Sequence, residues 1–358
     1  MKKVVLYGVL NWGLGHATRS IPIIRSLIEL DYEPIICSDG DALALLQTEF
    51  PNLDTETFPT YHIQYKYRSM LANVSRYGLG LLRTIYQEQS ILQKHIAKYQ
   101  PSYIISDNRY GFYHSDIPSV MITHQLRIPA IAQWQSKFAS SFLHSYINKF
   151  DSCWVPDAGQ APNLSGKLSH DMQLDIPIQY IGALSRFHPQ ATTQNYDIAF
   201  ILSGPEPQRT YLEKLIRQQA KNLPQKMILA RGTNAPNAIA DTELPKDFDI
   251  IDMADSQTLE RIISDSKVVV SRAGYTTIMD LVAMQKPALL IPTPGQPEQE
   301  YLAAHLATHF SGFRFLAQDD LDLSIALDPL PKWNSTALEM NWSSKKLESL
   351  LASLSDKR

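Results

Sequence analysis

Two histidines and an aspartate stand where open α/β sheets carry out chemistry. His16 follows the apolar run Val4–Leu10 through the turn Asn11-Trp12-Gly13-Leu14-Gly15; Asp107 closes Tyr103–Ser106, and His124 follows Val120–Thr123. In a parallel sheet all three lie along the rim of C-terminal strand ends, where such sheets bind ligands. An imidazole accepts a proton near neutral pH, so His16 is either the general base or a binding residue only. Asp107 can orient an imidazole or accept a hydroxyl proton, although an aspartate here can also simply cap a turn. Arg19, three residues beyond His16, faces the same crevice on helical spacing.

A second constellation occupies residues 267–304. An apolar strand (Val268–Val270) runs into the small-residue turn Ser271–Gly274, a helix, a second apolar strand (Ala288–Ile291) and a polar loop. A strand, tight turn and helix N-terminus form an anion site, because backbone N–H groups and the positive end of the helix dipole converge there. Helical spacing puts Asp280 one turn below Thr276 and Thr277, within reach of a sugar hydroxyl. That combination describes a nucleotide-sugar site. Ser203-Gly204, after Ile198–Leu202, is a second phosphate-facing turn, although Pro205 and Pro207 remove donors from it. Arg209, Arg231 and Arg272 are cations at the same edge. Pro297 suits a first helical position, which places Gln299 and Glu300 in a first turn.

The elements that must hold these groups alternate. Apolar runs at Pro34–Ser38, Cys153–Val155, Ile178–Ile181, Met227–Ala230 and Ile250–Ile251 join those above, with helical periodicity between them. Ala17–Leu30, for example, keeps Ile21, Ile24, Leu27 and Ile28 on one face. Continuous apolar strands separated by helices imply parallel sheets covered on both sides. At 358 residues the prior is two domains. The expected division is 1–157, a proline-, glycine- and serine-containing linker region at 158–185, 186–335, and a helical tail at 336–358. The tail's leucines (347, 350, 351, 354) either cap the second domain or cross back to the first.

Composition excludes several classes. Hydrophobic residues at 44% and charged ones at 19% fit a folded globule, and a net charge of −3 gives no electrostatic case for nucleic acid. Two cysteines in apolar runs point to a reducing, cytoplasmic setting. Thr18 stands where a dinucleotide fingerprint needs its third glycine, which disfavours NAD chemistry. The pairs Asp39/Asp41 and Asp320/Asp322 do not directly end a strong buried strand, so no metal site is expected. Residues 61–87 hold five tyrosines and Lys66, Arg68, Arg76 and Arg83 with no acidic residue. That stretch is a solvated face or a contact with an anionic membrane surface.

Ser271–Ala304, with its order of strand, Ser-Arg-Ala-Gly, helix, Lys-Pro-Ala, strand and Gln-Glu-Tyr-x-x-Ala, resembles the C-terminal, donor-binding domain of family 28 glycosyltransferases. Gly15-His16-Ala17-Thr18-Arg19 is similar to the Gly-His-x-x-Arg turn of their N-terminal domain. The complete turn looks closer to less characterised bacterial relatives than to the lipid II N-acetylglucosaminyltransferase. The resemblance implies a GT-B fold, two Rossmann-like domains facing a cleft, and an inverting, metal-independent hexosyl transfer from a UDP-sugar to an acceptor hydroxyl. No cofactor is implied beyond that donor substrate; the acceptor is a glycan, a lipid-linked group or a small molecule. By motif position Ala273, Gly274, Tyr275 and Thr276 line the diphosphate, with Ser203 and Gly204 as a loose second turn. Asp280 stands where the family holds the ribose with a glutamate. Gln299 and Glu300 stand at a sugar-reading Gln-Gln pair, and Met253 joins the donor-contacting set. The architecture also admits a non-hydrolysing UDP-sugar epimerase, and a non-catalytic nucleotide-sugar-binding subunit is a third reading.

Overall fold

The computed structural model describes residues 2–60, 70–129, 133–191, 193–204, 206–233, 244–327, 332–333 and 342–355; the side chains at 70–79, 133, 135 and 138 lie outside the description. The chain forms two compact units, residues 1–184 with 339–358, and residues 185–338.

The first unit runs β1 (Lys3–Val9), α1 (Gly15–Glu29), β2 (Tyr32–Ser38), α2 (Gly40–Glu49), β3 (Thr55–Thr57), α3 (Met70–Tyr99), β4 (Tyr103–Asp107), β5 (Ser119–Ile122), α4 (Gln133–Ile147), β6 (Ser152–Val155) and β7 (Ile178–Tyr180). Its sheet has the order β3-β2-β1-β4-β5-β6-β7, every described pair parallel. Leu6, Ile35, Ile104 and Met121 are fully or almost fully buried, as strands covered on both faces require.

The second unit runs β8 (Tyr196–Ile201), α5 (Gln208–Ala220), β9 (Met227–Ala230), β10 (Phe248–Ile251), α6 (Ser256–Ser264), β11 (Ser266–Arg272), α7 (Tyr275–Ala283), β12 (Ala288–Ile291), α8 (Pro297–Ala307), β13 (Phe313–Phe315) and the short α9 (Leu323–Ala326). Its parallel sheet has the order β10-β9-β8-β11-β12-β13. Both sheets therefore reverse strand order beside their first strand, between β1 and β4 and between β8 and β11. Such switch points open a crevice at the C-terminal strand ends.

One expectation changes. Residues 158–184 are not a linker, because they complete the first unit. The carboxylate of Asp157, fully buried, accepts from the backbone N–H of Ala158, Leu164 and Ser165 at 2.8, 2.9 and 2.7 Å and folds the segment onto the end of β6. The proline, glycine and serine residues there make turns within a packed body. Within that segment the apolar run at Ile178–Tyr180 pairs with β6 as an edge strand of the first sheet. The tail helix α10 (Ser344–Ser355) packs on α1 within the first unit. Leu347, Leu351 and Leu354 are buried there, and the Trp342 indole N–H reaches the Ser26 hydroxyl at 3.1 Å.

No helix among the described residues is long and apolar enough to cross a membrane. Of the stretch 61–87, residues 61–69 lie outside the described residues, and Leu82, Arg83 and Tyr86 sit on the outer face of α3, with Tyr86 82% exposed.

Candidate functional site

At the first switch point the register pairs Val9 with Asp107, so the turn after β1 and the end of β4 lie side by side. α1 starts at Gly15, which sets His16 and Arg19 on one face of its first turns. Asn108, in the left-handed region at φ 58°, bends the chain away and leaves Asp107 at the rim.

Four side chains close on one another here. His16 Nδ1 lies 2.6 Å from Asp107 Oδ1, Arg19 Nε donates to Asp107 Oδ2 at 2.6 Å, and Arg19 Nη2 donates to Oδ1 at 2.5 Å. Arg19 Nη1 lies 2.9 Å from His124 Nδ1, which brings the third rim residue into the cluster. Asp107 is fully buried and Arg19 nearly so. Burial opposes ionisation of Asp107, yet the Arg19 guanidinium and His16 hold its carboxyl below the usual carboxylate range. Burial and then the Arg19 charge push the His16 imidazole below its ordinary value.

The tautomers follow from the partners. A carboxylate only accepts, so His16 carries its proton on Nδ1 and presents a bare Nε2. Arg19 Nη2, 3.0 Å from the same Nδ1, adds charge there rather than a hydrogen bond. A guanidinium only donates, so His124 Nδ1 accepts and its proton is on Nε2. The cluster thus contains a neutral imidazole oriented as a base, beside one oriented as a donor.

Behind it, Arg109, with no exposed surface, donates to Glu88 Oε1 at 2.6 Å, Asp39 Oδ1 at 3.0 Å and the Val9 carbonyl at 2.8 Å. It fastens the chain beyond Asp107 to the end of β1. Its sequence context, a strand end followed by Asp-Asn-Arg, held that signal, but its partners lie on α3 and after β2.

In the second unit the register Ile201 with Ser271 brings two turns together at the other switch point. Ser203 and Gly204 are exposed after β8, with Gly204 at φ 100°, and Ala273-Gly274 joins β11 to α7. Gly274 is the N-cap and supplies no capping oxygen to the first turn of α7. Ala273 and Tyr275 are buried, Thr276 is half-buried, and Met253 is 46% exposed just beyond β10. Asp280, 8% exposed, accepts from the Ser185 hydroxyl at 2.6 Å, and burial pushes its carboxyl up to about 6. Ser185 lay inside the expected linker and carried no signal of this role.

The three arginines of this edge each have partners within the protein. Arg209 donates to Glu213 Oε2 at 2.7 Å and to Glu206 Oε1 at 2.6 Å; Arg231 donates to Glu213 Oε1 at 2.8 Å and Asp252 Oδ1 at 2.5 Å. Arg217 lies 2.9 Å from the same carboxylate, so Glu213, fully buried, gathers three guanidinium groups. The signal was available in the spacing Arg209, Glu213, Arg217, four residues apart on one helix face. Arg272, 2% exposed, donates to the Gln208 carbonyl at 2.8 Å and Gln318 Oε1 at 2.7 Å and ties β11 to neighbouring loops. These three side chains brace the rim of the sheet. Gln299 Oε1 accepts from Thr293 N at 2.8 Å, and Glu300 Oε1 from Gly295 N at 3.2 Å, so both shape the loop before α8.

Residues 198–352 match the glycosyltransferase family 28 C-terminal domain. An uncharacterized glycosyltransferase of Methanopyrus kandleri is 19% identical over 294 residues, covering 77% of this chain and 81% of its own length. A Streptococcus suis UDP-N-acetylglucosamine–N-acetylmuramyl-(pentapeptide) pyrophosphoryl-undecaprenol N-acetylglucosamine transferase is 23% identical over 307 residues, covering 82% and 78%. The fold is shared with the calicheamicin glycosyltransferase (TM-score 0.64, 12% identity, 99% of this chain and 94% of that one). It is shared too with Acinetobacter baumannii MurG (TM-score 0.53, 12% identity, 92% and 89%). Residues 198–352 thus carry the match to the glycosyltransferase family 28 C-terminal domain, and the chain shares the fold of the GT-B glycosyltransferases.

Proposed function

We propose that the protein is an inverting glycosyltransferase that moves a hexosyl group from a UDP-sugar to an acceptor hydroxyl without a metal ion. The observation that carries this reading is the His16–Asp107 pair, whose 2.6 Å contact leaves Nε2 bare at a switch-point rim. His16 Nε2 takes the proton of the acceptor hydroxyl, whose oxygen attacks the anomeric carbon. The bond to the diphosphate breaks, and UDP leaves with the electron pair. A single displacement inverts the anomeric centre.

The second unit supplies the donor site. The α7 N-terminus at Gly274–Thr276 and the Ser203-Gly204 turn receive the diphosphate, Asp280 accepts from the ribose hydroxyls, and Gln299 with Glu300 meets the sugar. Preorganised donors contribute about 3–4 kcal/mol each to such a transition state. UDP as the nucleotide is supported by the Streptococcus suis relative, which is named for its UDP-N-acetylglucosamine donor. We place the reaction in the cytoplasm, with α3 around Tyr86 as a peripheral contact to an anionic membrane surface.

A panel of UDP-sugars, with and without EDTA, tests the reading by thermal shift and by turnover. Stabilisation by a UDP-sugar that survives EDTA, and loss of turnover in His16→Ala with UDP binding intact, are expected. Conversion of a UDP-sugar with no acceptor present would instead assign an epimerase. Undiminished turnover in His16→Ala would remove the base from the scheme.

A further inference from the structure

A separate polar pocket of the first unit lies where the loop after β5 meets α4. Its cavity of about 250 Å3 is lined by Arg127, Ser136, Lys137, Ser140, Ser141, His144 and Met172. Three of these, at 136, 140 and 144, form one row along the helix. Each clips the loop: Ser136 Oγ donates to the Ile128 carbonyl at 2.6 Å, Ile128 N donates to Ser140 Oγ at 3.0 Å, and His144 Nε2 donates to the Leu126 carbonyl at 2.7 Å. Leu126 N and Arg127 N both reach the Leu168 carbonyl at 2.8 Å, which holds the loop from its other side. The walls are therefore fixed in advance of any ligand.

Into these fixed walls the chain sets a half-buried arginine and an exposed lysine. Among the described residues no carboxylate lines the pocket. Arg127 sits between the two clipped residues, and its Nη2 is 3.3 Å from Met172 Sδ, a weak acceptor that leaves the fork suited to a stronger one. A planar guanidinium beside an ammonium and several hydroxyls matches a tetrahedral oxyanion. The cavity has room for a phosphate or a diphosphate. His124 of the dyad cluster lies three residues before Arg127, so one loop carries both.

We propose that this pocket is an oxyanion subsite for a phosphate group carried by the acceptor. The acceptor part rests on the transferase reading; the subsite itself does not. Calorimetric titration of the full chain with inorganic phosphate and with pyrophosphate, with and without UDP, tests it. Binding in the millimolar range or tighter is expected, weakened about tenfold in Arg127→Gln and in Lys137→Gln. Lys137 is exposed, so that variant keeps its fold, and an unchanged melting temperature verifies this. Absence of binding, or equal binding in both variants, overturns the subsite. With transfer established, both variants should raise KM for a phosphorylated acceptor and leave KM for the UDP-sugar alone; an equal rise for a neutral acceptor overturns the acceptor assignment. Absent turnover with phosphate binding intact would fail the transferase reading and leave the subsite standing.

Discussion

Replacing Asp107 by asparagine tests the dyad more sharply than deleting His16. Both oxygens of Asp107 are in use, Oδ1 by His16 Nδ1 and Arg19 Nη2, and Oδ2 by Arg19 Nε. An amide offers one acceptor and one donor group. If its oxygen serves Arg19 Nε, its NH2 faces His16 Nδ1 and drives the imidazole proton to Nε2, where the base is lost. If it turns over, NH2 faces the guanidinium, donor against donor. The first orientation disables the base; the second keeps the tautomer but turns a donor on Arg19 Nε and loosens the cluster that holds the ring. The kcat should therefore fall by about 10²–10⁴-fold, or roughly 2.7–5.5 kcal/mol, with the first orientation at the upper end. The nearly buried Arg19 also loses its counter-charge, which costs about 3–5 kcal/mol of stability, so kinetics belong well below the melting temperature of the variant. UDP affinity, which the proposed donor site assigns to the second unit, should not move.

The pH profile adds a second readout. The His16 imidazole is held below its ordinary 6.5 by burial and then by Arg19, so the acid limb of kcat/KM in the native protein lies below that pH. Asp107 is one of the groups that lifts it, so the limb should move lower still in the variant. A kcat within about tenfold of native, with an unmoved limb, would refute the assignment of His16 as an Asp107-oriented base.

Two further outcomes follow from the second unit. Asp280, raised from 3.8 to about 6 by burial, keeps its proton in the folded chain while the unfolded chain loses it, so stability falls as pH rises through that window. A difference of about 2 units is about 3 kcal/mol, so Asp280→Asn should raise the melting temperature at pH 7.5 and hardly change it near pH 4. The same variant should weaken UDP-sugar binding about 10- to 100-fold, the worth of a hydrogen bond to a charged group; no gain at pH 7.5 would contradict an ionised, buried carboxylate. Glu213→Gln leaves three guanidinium groups without their shared carboxylate and should cost about 3–5 kcal/mol in urea unfolding, whereas a loss below about 1 kcal/mol would show that the network is not what braces α5 against β9.

The strand–helix alternation was legible because each buried strand is a continuous apolar run, and strand ends marked the rim. Thr55–Thr57 and Phe313–Phe315 escaped notice because three residues at a sheet edge carry no periodicity. His16, Asp107 and His124 could be placed on one rim, but their closure around Arg19 depends on the pairing of Val9 with Asp107, which local sequence does not encode. Arg209, Arg231 and Arg272 look like phosphate ligands when only their strand ends are considered. Glu213 and the carbonyl of Gln208 claim them through contacts made by α5. The stretch 158–184 misled for a related reason, since turn-forming composition is shared by linkers and by segments gathered onto a buried carboxylate.

The return of α10 to α1 has a consequence for biosynthesis. The second unit is one uninterrupted piece of chain, residues 185–338, and can fold as soon as it has left the ribosome. The first unit emerges earlier yet closes later, because Leu347, Leu351 and Leu354 belong to its packing and are translated only after the whole of the second unit. The unit that holds the His16–Asp107 cluster is therefore begun before the second unit and completed after it.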